Sequence, residues 1–142
     1  MTDARTHLFR LLLCGQLALV AAISAGAYLG VLPNALPAVP HADLAVHALA
    51  FGLLGAFLDG ALGQRRIHPG VPFPRLGPSL VLAAAGIEEL AQGLSPRRSS
   101  SLADFAADAV GILVLSWLVG RACARSSVGA SARRRVGASR PA

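Results

Sequence analysis

The sequence predicts an all-α, polytopic integral membrane protein with four transmembrane helices and both termini in the cytoplasm. Two observations support this fold class: the composition, and the spacing of the apolar residues. Hydrophobic residues make up 54% of the 142 residues and charged residues 14%, with a mean hydropathy of +0.59. Soluble domains carry about 25% charged residues. Four apolar runs of 19 to 22 residues follow one another, and about 20 residues cross a ~30 Å hydrocarbon core as a helix.

Each run predicts one helix. Polar side chains are few within the runs, and a helix satisfies its own backbone hydrogen bonds where lipid offers no partner. Small residues, among them Gly52, Gly55 and Gly86, permit neighbouring helices to approach closely. An alternative interpretation of the first run is a cleaved signal peptide, but its apolar stretch exceeds the usual length of about 7–15 residues. The four runs are residues 11–32, 44–62, 76–94 and 102–120.

The chain divides into three parts. Residues 1–10 are predicted to form a cytoplasmic N-terminus, residues 11–120 the four-helix transmembrane domain, and residues 121–142 a cytoplasmic tail rich in Arg, Ser, Ala and Gly. The tail has no hydrophobic periodicity and cannot bury a core. It is therefore expected to be disordered or to lie on anionic lipid.

The distribution of arginine sets the predicted orientation. All 13 basic residues are Arg, and eleven of them lie in the N-terminal segment, the second connection and the tail. The connection between the third and fourth runs carries only Arg97 and Arg98. Because cytoplasmic loops carry the excess of positive charge, both termini are predicted to face the cytoplasm. The first and third connections then face outward.

Several classes of function are disfavoured by the composition. The net charge of +6 does not indicate nucleic-acid binding, because the arginines flank apolar runs without interleaved aromatic residues. Cys14 and Cys123 show no CxxC or metal-ligand spacing and are predicted to be small buried hydrophobic residues. No Ser or Cys stands in a recognised nucleophile context, which argues against acyl-enzyme chemistry.

Polar residues within the apolar runs gather at the predicted outer surface. Charge at such depth costs about 2.5–3.5 kcal/mol per residue on insertion scales and usually serves a purpose. Pairs three or four residues apart share a helical face, whereas Glu88, about 100° around the helix from Glu89, is expected to face a different neighbour or to be protonated. Asp59 lies outside this group. The candidate catalytic residues are His47, Glu89, Asp104 and Asp108, and the candidate substrate-binding residues are Asp43, Gln92 and Arg98.

Structural roles are also open for these residues. Asp43 and Asp104 stand in predicted first helical turns, where a carboxylate caps the helix or interacts favourably with its dipole. Glu89 and Asp108 lie deeper, and an ion pair with an arginine of the third connection would hold two helices together. His47 is equally interpretable as a hydrogen-bonded packing residue.

The joint spacing of these residues resembles that of the VanZ-like family of membrane proteins. The resemblance covers residues 8–120 and has two departures. Leu44 stands where a Lys is usual, which weakens a Lys-assisted role for the preceding residue, and Asp108 stands where Asn is commoner, which adds negative charge. The segment D-L-A-V-H-A-L-A-F supplies Asp43 and His47, E-L-A-Q supplies Glu89 and Gln92, and Arg98, Asp104, Asp108 and Gly111 follow at matching intervals.

The resemblance implies a role at the membrane surface and a link to resistance against teicoplanin-type glycopeptides. One hypothesis is an enzyme acting on lipid headgroups or lipid-linked envelope precursors. His47 would then be the general base or nucleophile, Asp43 or Asp108 would orient it, and Glu89 would exchange protons. Arg98 would hold a phosphate by a forked contact.

Two other hypotheses stay open. In one, the polar cluster clamps the helices and accommodates a headgroup without chemistry; in the other, the chain is a proton-coupled transporter. Membrane lipids are the predicted partners in each case. No cofactor is identified, and a divalent cation on Glu89, Asp104 and Asp108 is not indicated by any diagnostic spacing.

Overall fold

The computed structural model describes residues 3–31, 42–68, 70, 75–94 and 101–138, and this part of the chain is all-helical. A lone antiparallel bridge joins the backbones of Arg66 and Arg75. The helical content confirms the predicted all-α class. The four helices are α1 (Asp3–Leu29), α2 (Ala42–Ala61), α3 (Leu76–Gly93) and α4 (Leu102–Ala138).

Three of the four helices contain segments long and apolar enough to cross a membrane. These segments are Ala4–Leu29 in α1, Ala42–Ala61 in α2 and Leu102–Ser126 in α4. The helix α3 is not among them. The chain is therefore a membrane-embedded helical protein.

A glycine in the left-handed conformation follows the end of each of the first two helices. Gly30 adopts a φ of +71°, and the N–H of Val31 donates a 3.0 Å hydrogen bond to the carbonyl of Gly26. Gly63, with a φ of +68°, ends α2 in the same way. This left-handed conformation costs little only for glycine, so α1 stops short of residue 32, where its apolar run ends.

The C-terminal tail, for which the composition predicts either disorder or a position on anionic lipid, is helical over most of its length. The helix α4 continues without a break to Ala138, and residues 139–142 lie outside the described residues. Ala and Arg are strong helix formers, and the first proline of this region is Pro141. Local propensity therefore extends the helix beyond the apolar run, although this segment has no apolar face to bury.

The helices run alternately up and down, and α2 packs against all three others. The ring of Phe9 near the start of α1 lies where a side chain on Gly60, near the end of α2, would stand. Further along, Gln16 donates a 2.9 Å hydrogen bond to the carbonyl of Ala50. The start of α1 therefore lies beside the end of α2.

The closest approach in the bundle is between α2 and α4, which run parallel. A Cβ placed on Gly111 would overlap the backbone of Ala48, and one placed on Gly52 would lie 2.7 Å from the carbonyl oxygen of Gly111. Only hydrogen fits at these two positions. The apolar centre forms around this contact and comprises Phe51, Leu54, Val81, Ala85 and Ile112.

The bundle exposes many large apolar side chains and buries several polar ones beside its apolar centre. Leu90 is 75% exposed and Leu102 is 82% exposed, whereas six polar or charged residues in the described part of the chain are buried. Such a distribution fits a bundle whose outer surface contacts lipid. Cys14 also lies on the exposed surface and Cys123 is half-buried, so the predicted burial of both cysteines is wrong. The buried polar residues are Gln16, Asp59, Glu89, Gln92, Asp108 and Ser116.

The glycine contact leads to a stability prediction. Gly111→Ala forces a methyl group against the backbone of Ala48, so α2 and α4 must separate. We expect it to destabilise the protein by about 1–3 kcal/mol, the usual range for overpacking. Thermal unfolding in detergent, followed by circular dichroism, measures the effect.

Gly15→Ala is the matched control, because a methyl group added at Gly15 would have no neighbouring heavy atom within 4 Å. Alanine is favoured over glycine in a helix by about 1 kcal/mol, so this variant is expected to melt at or above the wild-type temperature. A Gly111→Ala protein as stable as Gly15→Ala would contradict the close contact.

Candidate functional site

A histidine and two aspartates meet between α2 and α4. Nδ1 of His47 lies 3.1 Å from Oδ1 of Asp108, and Nε2 lies 3.9 Å from Oδ2 of Asp104. The imidazole also stacks on the ring of Phe51, one turn along α2, with an interplanar angle of 3°. We call His47, Asp104 and Asp108 the His47 cluster. These three candidate catalytic residues are thus brought together.

Local structure places both carboxylates. Asp104 and Asp108 are one turn apart on the same face of α4. The hydroxyl of Ser101 accepts a 3.3 Å hydrogen bond from the N–H of Asp104, as a helix N-cap does. The contact between Gly111 and Ala48 then brings this face of α4 against His47. Since the side chain of Asp108 is 3% exposed, it needs a polar partner, and His47 is one.

Pairing with an ionised Asp108 would assign a role to each ring nitrogen of His47. An ionised carboxylate can only accept hydrogen bonds, so Nδ1 of His47 carries the hydrogen when Asp108 is ionised. In the neutral ring Nε2 then has the basic lone pair. The 3.9 Å distance to Asp104 is too long for a hydrogen bond, but it permits electrostatic attraction once the imidazole is protonated.

A cavity of about 70 Å³ lies beside His47, between α1, α2 and α3. Its polar lining residues are His47, Ser24 and Glu88, and the hydroxyl of Ser24 donates a 2.7 Å hydrogen bond to Oε1 of Glu88. Glu88, rather than Glu89, therefore shares the cavity with His47. The angle of about 100° between Glu88 and Glu89 around the helix predicted that they face different neighbours. Only the packing of α1 shows that Glu88 faces Ser24 and the cavity. The apolar lining residues are Val20, Ile23, Val46, Ala50 and Phe51.

Glu89 lies on the other side of α3. It is buried, and its carboxylate accepts a hydrogen bond from the backbone N–H of Ser101. It also lines a groove of about 520 Å³ between α3 and α4, whose other lining residues are mostly apolar. The hydrogen bond between Ser101 and Glu89 ties the end of α3 to the beginning of α4, which is a structural role for Glu89.

The three candidate substrate-binding residues are placed differently from one another. Asp43 is exposed in the first turn of α2, where its charge interacts favourably with the helix dipole. Gln92 is 2% exposed near the end of α3. Arg98 lies outside the described residues, as does Arg97.

A further buried carboxylate lies at the opposite end of the bundle. Asp59 of α2 is fully buried, and NH1 of Arg75 lies 2.8 Å from its Oδ2. The guanidinium of Arg75 in turn packs where a side chain on Gly120 of α4 would stand. The sequence pattern left Asp59 outside the predicted site and Arg75 as a charge of the second connection. An acidic residue within an apolar run requires a polar or charged partner. The sequence alone therefore indicated that Asp59 is paired, although it did not show with which residue.

This second site retains unused hydrogen-bonding capacity. Among the described residues, Oδ1 of Asp59 and the hydroxyl of Ser116 are buried without a hydrogen-bond partner. The backbone of Asp59 also lies against Gly77 of α3, where a Cβ would come within 2.5 Å of its N atom. Three helices therefore converge on Asp59, and its carboxylate is held in place mainly by Arg75.

Metal binding is not indicated in the described part of the chain. No group of three or more His, Cys, Asp and Glu side chains there is arranged to hold a metal ion. In particular, the contact of Glu89 with Ser101 directs this carboxylate to the start of α4.

Comparison with known proteins gives no match for this chain, whether among protein-family models, curated proteins or solved structures. The fold and the site define a membrane-embedded helical protein with a His–carboxylate cluster between two parallel helices. Its chemistry is inferred from that geometry.

The pair of Asp59 and Arg75 gives the second prediction. Arg75→Met leaves a buried carboxylate without its counter-charge, and such a loss costs about 3–5 kcal/mol. The double variant Asp59→Leu/Arg75→Met removes both charges and is expected to recover much of that stability. Unfolding midpoints of the single and double variants in one detergent measure the coupling.

Arg66→Met is the control, because Arg66 is exposed in the same connection. We expect a change within about 0.5 kcal/mol, as for most surface substitutions. The single variant Asp59→Leu completes the cycle, and additive effects of the two single substitutions would show that the ion pair contributes no coupling energy.

Proposed function

We propose that all four helices cross the cell membrane of a bacterium, with both termini in the cytoplasm. The helix α3 connects the end of α2 to the beginning of α4, which lie at opposite ends of the bundle. At ~1.5 Å per residue, its 18 residues approach the thickness of the hydrocarbon core. The positive-inside rule supports the orientation, since one end carries Arg5, Arg10, Arg65, Arg66, Arg75, Arg121 and Arg125.

Cysteine accessibility tests this topology. In a Cys14→Ser/Cys123→Ser background, Ala35→Cys places a thiol in the first connection and Gly70→Cys one in the second. A membrane-impermeant maleimide applied to intact cells is expected to label the first variant only. Labelling of Gly70→Cys should require permeabilised membranes. The reverse pattern would overturn the orientation, and labelling of both in intact cells would overturn a crossing by α2.

At the outer end we propose an active site for lipid headgroups or lipid-linked envelope precursors. The observation that carries this proposal is the contact between His47 and Asp108, next to Asp104 and a small cavity with apolar walls. A histidine oriented by a buried carboxylate is the arrangement used for general-base catalysis. The resemblance to the VanZ-like family agrees with this location and extends the proposal to teicoplanin-type resistance.

The reaction class that fits is attack on a headgroup phosphodiester. Nε2 of His47 removes a proton from water while the water oxygen bonds to phosphorus and the bond to the leaving alcohol oxygen breaks. The imidazolium that forms lies between two carboxylates, 3.1 Å from Asp108 and 3.9 Å from Asp104, and is stabilised by both. The imidazolium then returns its proton to the leaving alcohol oxygen, while Glu88 lines the same cavity.

The alternative is a protein without catalytic activity, in which polar groups clamp the helices. The hydrogen bond from Ser101 to Glu89 favours it, since this candidate catalytic residue is occupied by the backbone of α4. The pair of Asp59 and Arg75 shows the same use of charge at the other end. In this case the His47 cluster would hold α2 to α4.

A lipid-product assay separates the two functions. The purified protein is reconstituted in vesicles of bacterial total lipid, and released headgroups and altered lipids are measured by mass spectrometry. We expect His47→Ala and Asp108→Asn to lower turnover by at least about 100-fold, the lower range for general acid–base catalysis. Cells expressing each variant should lose any teicoplanin resistance in parallel.

His68→Ala is the matched control, because His68 is an exposed loop residue whose Nδ1 accepts a 3.2 Å hydrogen bond from Gly70. It is expected to retain wild-type turnover. Unfolding midpoints of all variants are measured alongside. Wild-type turnover in His47→Ala would contradict the active site. No lipid product from the wild type, together with a lowered midpoint for His47→Ala, would support the clamp.

A further inference from the structure

A second cavity lies at the arginine-rich end of the bundle, away from the His47 cluster. Its volume is about 300 Å³, and it is formed where α1 begins and α2 ends. Both basic residues that line it are exposed at its rim. The lining residues are Thr6, Arg10, Ala61, Leu62, Gly63 and Arg65.

The backbones of the two arginines are positioned by helix packing and by a turn. Phe9 packs on Gly60, which sets the next residue, Arg10, beside the end of α2. The left-handed turn at Gly63 reverses the chain, and the carbonyl of Arg65 accepts a 2.8 Å hydrogen bond from Leu76. The spacing of the two guanidinium groups therefore depends on the helix packing.

Among the residues that the structure describes, the positive charge of this cavity has no counter-charge inside it. Among the described residues, neither Arg10 nor Arg65 forms an ion pair, and no carboxylate lines the cavity. The nearby acid Asp59 is engaged by Arg75. Two forked guanidinium donors and the hydroxyl of Thr6 match the acceptor oxygens of a phosphate group.

The position of the cavity indicates the source of that phosphate. It lies where the membrane-crossing segments Ala4–Leu29 and Ala42–Ala61 both terminate, at the level where lipid headgroups meet water. The aliphatic side of the cavity, provided by Ala61 and Leu62, suits the glycerol region of a lipid. Basic pockets between helices on this side of a membrane bind anionic headgroups.

We propose that Thr6, Arg10 and Arg65 bind the phosphate group of an anionic membrane lipid at the end of the bundle opposite the His47 cluster. This site does not depend on the catalytic role proposed for His47. The bound lipid bridges α1 to the connection that follows α2 and stabilises their packing.

Lipid titration of the full purified chain in a neutral detergent tests the proposal. Short-chain phosphatidylglycerol is expected to raise the unfolding midpoint and to appear as one bound lipid in native mass spectrometry, whereas phosphatidylcholine is not. Arg10→Gln/Arg65→Gln is expected to weaken binding by at least about tenfold, because the loss of even one charge-assisted contact is worth that much. Unchanged affinity in this variant would overturn the proposal.

Arg66→Gln/Arg125→Gln is the charge-matched control, since both arginines are exposed outside the cavity lining. Its affinity should stay within about twofold of wild type, because exposed charges contribute weakly. An equal loss of affinity in the control would show that the lipid is attracted by the overall positive charge of this end of the bundle. That result would overturn the proposed site. If the glutamine variant does not fold, Arg10→Lys/Arg65→Lys is measured in its place. Wild-type affinity in the lysine variant would overturn recognition of the phosphate by forked guanidinium contacts.

A third titration identifies the source of the phosphate. Inorganic phosphate at the same concentrations is expected to leave the unfolding midpoint unchanged and not to displace the lipid. Displacement of phosphatidylglycerol by inorganic phosphate at comparable concentration would assign the cavity to free phosphate and overturn the lipid assignment.

Discussion

Direct backbone contact between α2 and α4 determines how the rest of this bundle is arranged. Gly111 lies against Ala48, and Gly52 lies against the carbonyl of Gly111, with no room for a side chain at either glycine. His47 directly precedes Ala48 in α2, and Asp108 precedes Gly111 by three residues in α4. The same contact that closes the helix pair therefore sets the distance between imidazole and carboxylate.

Buried charge aligns the helices at both ends of this contact. Asp108 meets His47 at one end, and Asp59 meets Arg75 at the other. In a medium of low dielectric constant an unpaired charge is costly, so each buried carboxylate restricts the helix that carries its partner. Glycine contacts set how closely the helices approach, and the two polar contacts limit sliding and rotation between them.

The polarity of the bundle is divided between its ends. The carboxylates Glu88, Glu89, Asp104 and Asp108 lie with His47 at one end, and arginines dominate the other. This division suits two kinds of headgroup contact: proton exchange near His47, and electrostatic binding of phosphate at Arg10 and Arg65. The first site would change a lipid and the second would hold one, in opposite leaflets under the proposed topology.

Several features were within reach of the sequence. The length of the apolar runs and their low content of polar residues predicted four helices. A segment that crosses the hydrocarbon core must satisfy its own backbone hydrogen bonds, and a helix of about 20 residues does so. The helical period of about 3.6 residues put Asp104 and Asp108 on one face. Periodicity says nothing about how helices are rotated against one another, however, and for that reason Arg75 was missed and Glu88 was not assigned to the cavity beside His47.

By itself, the sequence determined the helical class, the membrane-compatible composition and the asymmetry of charge, since all of these follow from local pattern. Tertiary structure alone decided which side chains meet: Asp108 with His47, Glu88 with Ser24, and Asp59 with Arg75. The physical reason is that these contacts join residues 16 to 64 positions apart, and only the packing of one helix on another brings them within hydrogen-bonding distance.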